Sequence, residues 1–198
     1  IRDLRMSRGL GDVYKRQVVR ELQTIKELGF NLLRKHAKIE PQRWYYHCDK
    51  LGLIVWQDMV NGGGPYKLWF VTYLTNVFQP LLRRLPDARP LWGLLGRETE
   101  AGREEYAREL EATVKALQCH PCVGCWVPFN EGWGQFDAAG AVEAVRRLDD
   151  TRLVDEASGW YDQGGGDVDS LHNYFYPLRV RPRSLSLIHI SEPTRHAQ

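Results

Sequence analysis

The 198-residue chain carries 43% hydrophobic and 26% charged residues, with 27 basic against 25 acidic side chains for a net charge of +2. That is the balance of a globular protein able to bury about 70% of its unfolded surface. It excludes a disordered tail and shows no basic footprint for nucleic acid. Seven Trp, nine Tyr and six Phe supply abundant flat apolar surface, for a core or for a ligand such as a sugar.

Ile1 to Gln17 has no helical or strand period and no apolar stretch of the kind a signal peptide needs. Val18, Val19, Leu22, Ile25 and Leu28 then recur at three- and four-residue steps up to Gly29, which predicts a helix with a glycine cap. Phe30 to Arg34 reads as a short buried strand. Pro41 suits the first turn of a second helix with Trp44, Tyr45 and Cys48 on one face, and Gly52 closes it before the strand Leu53 to Gln57. Asn61-Gly62-Gly63-Gly64-Pro65 breaks the pattern. From there to Arg97 the chain reads as an irregular excursion with Pro80, Pro86 and Pro90, a length usual for functional loops. A third helix is expected over about Arg103 to Leu117, then a strand Val123 to Pro128, a glycine-rich loop and a fourth helix over about Asp137 to Leu148. The strand Arg152 to Ala157 and a last apolar stretch, Val168 to Tyr174, complete the series.

Ser184 to Gln198 has no turn logic, and RGLGDVYKRQ and SLIHISEPTR at the two ends resemble translated sequencing adapters. The expected organisation is therefore a folded unit over 18–183, flanked by non-native or disordered segments at 1–17 and 184–198. Residues 18–183 carry 21 basic and 22 acidic side chains, so the faint positive charge belongs to the ends.

Five short strands near 31, 54, 125, 154 and 170, alternating with longer helices, predict an α/β fold with a parallel sheet and right-handed crossovers. An open doubly wound sheet and a (β/α)8 barrel both fit. No phosphate-binding glycine motif follows the first strand. No run of about 18 apolar residues is present to span a membrane. Cys119, Cys122 and Cys125 are spaced three apart, but an iron–sulfur run of this kind wants a fourth Cys at 129, where Phe stands. They read as small buried thiols, and no metal or cofactor is expected.

In both architectures function sits at the C-terminal ends of the strands. That rule selects Arg34 and His36, Asp58, Asn130 and Glu131 with Trp133, Ser158 and Trp160, and His172 with Tyr174. Glu131, just past a buried strand and between Trp126 and Trp133, is placed for desolvation to raise its pKa, as a general acid requires. Asn130 has both a donor and an acceptor for a sugar hydroxyl. Arg34 serves either a substrate or a carboxylate such as Asp58, and Trp160 and Tyr174 are candidate stacking surfaces.

His120-Pro121 followed by Trp126-Val127-Pro128-Phe129-Asn130-Glu131-Gly132-Trp133-Gly134 resembles the fourth strand of the catalytic barrel of glycoside hydrolase family 2. Gly29 to Arg34, Tyr46 to Asp49 and Leu51 to Trp56 resemble its second strand, the next helix and its third strand. Thr151 to Leu153 with Ser158-Gly159-Trp160 resembles the fifth, and Asp167 to Tyr174 the sixth. The resemblance implies an incomplete TIM (β/α)8 barrel with strands 2 to 6, and a retaining glycosidase whose general acid/base is Glu131. It also implies a carbohydrate substrate bound by Asn130, Arg34, Asp58, Trp133, Trp160, His172 and Tyr174. The family's carboxylate nucleophile stands at the end of the seventh strand, so the unit alone is expected to be inactive; Glu156, inside the fifth-strand segment, is not its equivalent. The family has two residues between the strand-2 Arg and His, whereas Lys35 alone separates Arg34 from His36, and Arg34 is the retained ligand. The competing expectation is a carbohydrate-binding or interaction module using the same aromatic rim.

Overall fold

A computed structural model describes residues 16–172 and Tyr174. The expectations for 1–15 and 184–198 lie outside the described residues. Helix α1 spans 16–27, so Arg16 and Gln17, assigned by sequence to the N-terminal segment, are helical, and Gln17 bonds Glu21 one turn on. Val18 and Leu22 bury its apolar stripe, and Gly29 leaves the helix at φ 90°. Strand β1 (Leu32–Lys35) follows, then α2 (Gln42–Leu51), which buries Tyr45 and Cys48 and ends at Gly52 in the left-handed conformation that a glycine adopts without steric cost. Strand β2 covers Ile54–Asp58.

The excursion is largely helical in short pieces. A π-helical turn (Trp69–Leu74) runs into α3 (Thr75–Val77), followed by α4 (Gln79–Leu82) and α5 (Arg89–Trp92). Helix α6 (Glu100–Leu117) starts three residues before the expected point, because Thr99 caps it by accepting from Gly102 N. Strand β3 (Val123–Val127), helix α7 (Ala138–Leu148) and strand β4 (Leu153–Val154) complete the series.

The four strands are parallel and lie in chain order, β1-β2-β3-β4. In register, Leu33, Val55 and Val123 face the helices, and Arg34, Trp56 and Cys125 face the other side. The main core fills the helix side, with Leu22, Tyr45, Val55, Val114, Leu117, Trp126, Phe129, Val142 and Val145. Asp49 at the end of α2 fastens the start of β3 by accepting from Cys122 N (2.8 Å) and contacting His120 Nδ1 (2.7 Å). Cys48, Cys122 and Cys125 are buried and Cys119 is exposed, all unpaired; among the described residues no His/Cys/Asp/Glu cluster suits a metal ion. No helix among the described residues is long and apolar enough to cross a membrane.

Two expected strands differ. The strand Arg152 to Ala157 shortens to Leu153–Val154, because past Val154 the chain bends so that the Asp155 and Glu156 carboxylates accept N–H groups from the segments that follow. Residues 168–172 of the last apolar stretch form no strand. The edge of β4 is already taken by one residue. Asp167 N donates to Val154 O (2.7 Å), and the Asp167 carboxylate accepts from Val154 N (2.8 Å). A side chain thus stands where a neighbouring strand's backbone would pair.

Candidate active site

The C-terminal ends of β1, β2 and β3 bring Arg34, Asp58, Asn130 and Glu131 together, and the segment after β4 adds Ser158, His172 and Tyr174. Asp58 ends β2 fully buried. Its two oxygens take the Arg34 fork, Nε to Oδ1 at 2.9 Å and Nη2 to Oδ2 at 3.0 Å. Oδ2 also receives Ala37 N and contacts His36 Nδ1, both at 3.1 Å. Strand alternation puts His36, two residues on, on the same face as Arg34. The strand ends at Lys35 and Ala37 at φ 45° closes a turn, and His36 meets the same carboxylate as Arg34. Asp58 thus anchors Arg34, with protein donors on both of its oxygens. Burial opposes the Arg34 charge, but Asp58 more than compensates and raises its pKa.

Arg34 Nη2 also donates to Asn130 Oδ1 (2.6 Å), fixing that amide with its oxygen toward the guanidinium. The following Glu131 has φ 51°, an uncommon conformation for a side-chain-bearing residue, and its N–H is shared between Ala157 O and Ser158 O at 3.2 Å each. Gly132 and Gly134 continue the left-handed turn at φ 73° and 69°. A Cβ at Gly132 would stand 2.3 Å from the Tyr161 ring, so only glycine fits there. The loop is held from behind. Tyr106 hydroxyl donates to Pro128 O (2.5 Å), and Arg97, 4% exposed, donates from Nε to Gly134 O (2.9 Å) with its guanidinium over the Tyr106 ring.

The Glu131 carboxyl meets His172 Nδ1 at 2.7 Å and accepts from the Tyr174 hydroxyl, both on Oε1. Burial pushes its pKa up, as the sequence suggests. The hydrogen bonds from His172 and Tyr174, with the Arg34 charge, outweigh burial and hold it below the usual carboxylate value. The direction expected from desolvation alone is therefore reversed. Burial and the Glu131 charge push the Tyr174 phenol upward.

Trp160, expected as a stacking surface, is 2% exposed and packs with Phe70, Val71, Leu95 and Tyr161 in a second core cluster beneath the excursion. Its ring is part of that cluster. Trp133 lies at the border of that cluster, edge-on to Tyr66 at 5.0 Å, and Tyr174 is 62% exposed. Glu156 accepts from Gln163 N and Gly165 N, both at 3.0 Å, and belongs to that loop.

Sequence reasoning missed Asp155 and Ser170. Asp155 Oδ1 accepts from Ser158 N (3.2 Å), and Oδ2 from Ser170 Oγ (2.5 Å). The signals were present, since an Asp three residues before Ser has the spacing of a side-chain cap on a following N–H, and Ser170 stands two residues before His172.

The family model described as glycosyl hydrolases family 2, TIM barrel domain, matches residues 6–178. β-Mannosidase B of Thermothelomyces thermophilus is 29% identical over 101 residues, 51% of this chain and 8% of that protein. Among solved structures, β-glucuronidase 3 of Bacteroides uniformis superposes with a TM-score of 0.57 at 20% identity, covering 81% of this chain and 18% of its own. A β-galacturonidase of Eisenbergiella tayi, solved with galacturonate, gives 0.53 at 16% identity, covering 78% and 24%. The chain thus spans less than a quarter of each relative's length. A parallel sheet with its polar residues at the strand ends, and a family match over most of the sequence, lead to one conclusion: the chain belongs to glycosyl hydrolase family 2 and forms part of that family's TIM barrel.

Proposed function

We propose that a protein carrying this unit hydrolyses O-glycosidic bonds with retention, and that Glu131 is its general acid/base. The observation that carries the reading is the Glu131 carboxyl at the end of β3, with His172 and Tyr174 on one oxygen and Arg34-held Asn130 beside it. In the first step Glu131 protonates the leaving glycosidic oxygen while a second carboxylate attacks the anomeric carbon. In the second step Glu131 takes a proton from the water that cleaves the glycosyl-enzyme. That second carboxylate should stand about 5 Å away. By the family resemblance it is expected on the seventh strand, outside the segments that match this chain, and the 198-residue chain alone should show no turnover. Asn130, Trp133 and Tyr174 remain the proposed contacts to a carbohydrate.

Glu131→Gln in a longer protein carrying this unit should lower kcat about 10²–10⁴-fold for glycosides with poor leaving groups. Substrates whose leaving group needs no proton should suffer far less in the first step. Unchanged turnover of the poor substrates would remove Glu131 from this role.

A further inference from the structure

Arg34 has a third contact beyond Asp58 and Asn130. Its Nη1 lies 3.3 Å from His172 Nε2. A guanidinium is a donor at every nitrogen and does not deprotonate in proteins, so this bond needs a lone pair on Nε2. Ser158 Oγ, also 3.3 Å from Nε2, can rotate its proton toward the same lone pair. Across the ring, Nδ1 is 2.7 Å from Glu131 Oε1, where a donor is wanted. A neutral imidazole accepts at one nitrogen and donates at the other, and only one tautomer meets all three neighbours. The ring also lies close against the Gly159 backbone. Gly159, at φ 107°, would place a Cβ 2.6 Å from His172 Cγ, so its lack of a side chain makes room for the imidazole.

We infer that Arg34 locks His172 in the Nδ1–H tautomer, and that His172 so locked is a positioning residue that holds Glu131 Oε1 as an acceptor throughout the reaction. This rests on the reading of Glu131 as acid/base. In water the Nε2–H tautomer of a histidine side chain is the more populated, so the lock reverses the ring's own preference. A proton on Nε2 would point at a guanidinium, and a bare Nδ1 would face the carboxylate. Both donors to the carboxyl, His172 Nδ1–H and the Tyr174 hydroxyl, converge on Oε1. The transferable proton therefore belongs on Oε2. That proton leaves for the glycosidic oxygen in the first step and is replaced from water in the second, while the bonds to Oε1 persist.

The test reads the ring nitrogens of His172 by 15N NMR in the 198-residue chain at neutral pH. The expected result is a protonated Nδ1 and an unprotonated Nε2, unchanged in Ser158→Ala. In the double variant Arg34→Met/Asp58→Asn, which removes the guanidinium without leaving Asp58 as a buried charge, the preference should weaken to what Glu131 and Ser158 alone sustain. A protonated Nε2 in the wild type, or an unaltered Nδ1–H tautomer in the folded double variant, would overturn the lock. The positioning role has its own readout: His172→Phe should move the 13C titration midpoint of Glu131 upward, and an unmoved midpoint would overturn it. Neither measurement depends on turnover, so the lock and the functional reading can fail separately.

Discussion

Arg34→Met removes one half of the ion pair beneath the site. The Asp58 side chain is 1% exposed and the Arg34 side chain 23%, so the pair is far from the surface regime, where such contacts contribute about 0–1 kcal/mol. Breaking a buried pair by deleting one partner typically costs about 3–5 kcal/mol, because the remaining charge has lost both its counter-ion and its water. Asp58 keeps two neighbours in the variant, Ala37 N and His36 Nδ1. That places the loss at the lower end, about 3 kcal/mol, against a total stability of about 5–15 kcal/mol for a domain. With a urea m-value of about 2 kcal/mol/M, the denaturation midpoint should fall by about 1.5 M. Adding Asp58→Asn should recover most of the loss, since the neutral amide oxygen still accepts from Ala37 N. A single-variant loss below about 1 kcal/mol, or a double variant no more stable than the single, would refute the account of Asp58 as a buried anchor.

Glu156 gives a pH test. Burial, and next the neighbouring Asp162 carboxyl, raise its pKa from 4.5 to about 7. A raised folded value means its contribution to stability is present below about pH 4.5 and is lost as pH rises through about 7. Glu156→Gln should therefore flatten the fall in Tm between pH 5 and pH 8, and an unchanged slope would contradict the assignment. Trp160→Ala should cost about 3–5 kcal/mol in urea denaturation, as a fully buried aromatic does; a loss near zero would contradict the ring's place in that cluster.

The helix stops were legible because Gly29 and Gly52 occupy left-handed positions that other residues rarely take. The sheet was legible as short apolar runs between helices of 3.6-residue period, but its last edge was not. Whether Asp167 pairs Val154 with its backbone or with its side chain does not alter the apolar pattern of residues 168–174. The strand-end rule found the rim because parallel strands deliver side chains to one end whatever their identity. It could not show that Asp58 at that rim is engaged on both oxygens by Arg34, His36 and Ala37, since such contacts leave no periodic trace. The excursion was opaque for a related reason. Its anchors are single polar contacts such as Arg97 to Gly134 O and Asp87 to Ala138 N, and no periodicity announces them.

The low pKa of Glu131 at first conflicts with the general-acid role proposed for it, and the proposed retaining cycle would resolve the conflict. At about 5 Å and an effective dielectric of about 20, a second carboxylate would oppose ionisation of Glu131 by about 3 kcal/mol, or roughly two pKa units. That is enough to carry a depressed carboxyl back toward the range of an acid. Once the nucleophile is esterified in the glycosyl-enzyme its charge is gone, and Glu131 returns to the value set by His172, Tyr174 and Arg34, where it serves as a base. In this unit His172, Tyr174 and Arg34 outweigh burial and lower the Glu131 pKa. A 13C carboxyl titration of Glu131 in the 198-residue chain should give a midpoint below the ordinary glutamate value. Tyr174→Phe, which deletes one donor to Oε1, should raise that midpoint, and a wild-type midpoint above the ordinary value would show that burial wins and that the hydrogen bonds do not set the base form.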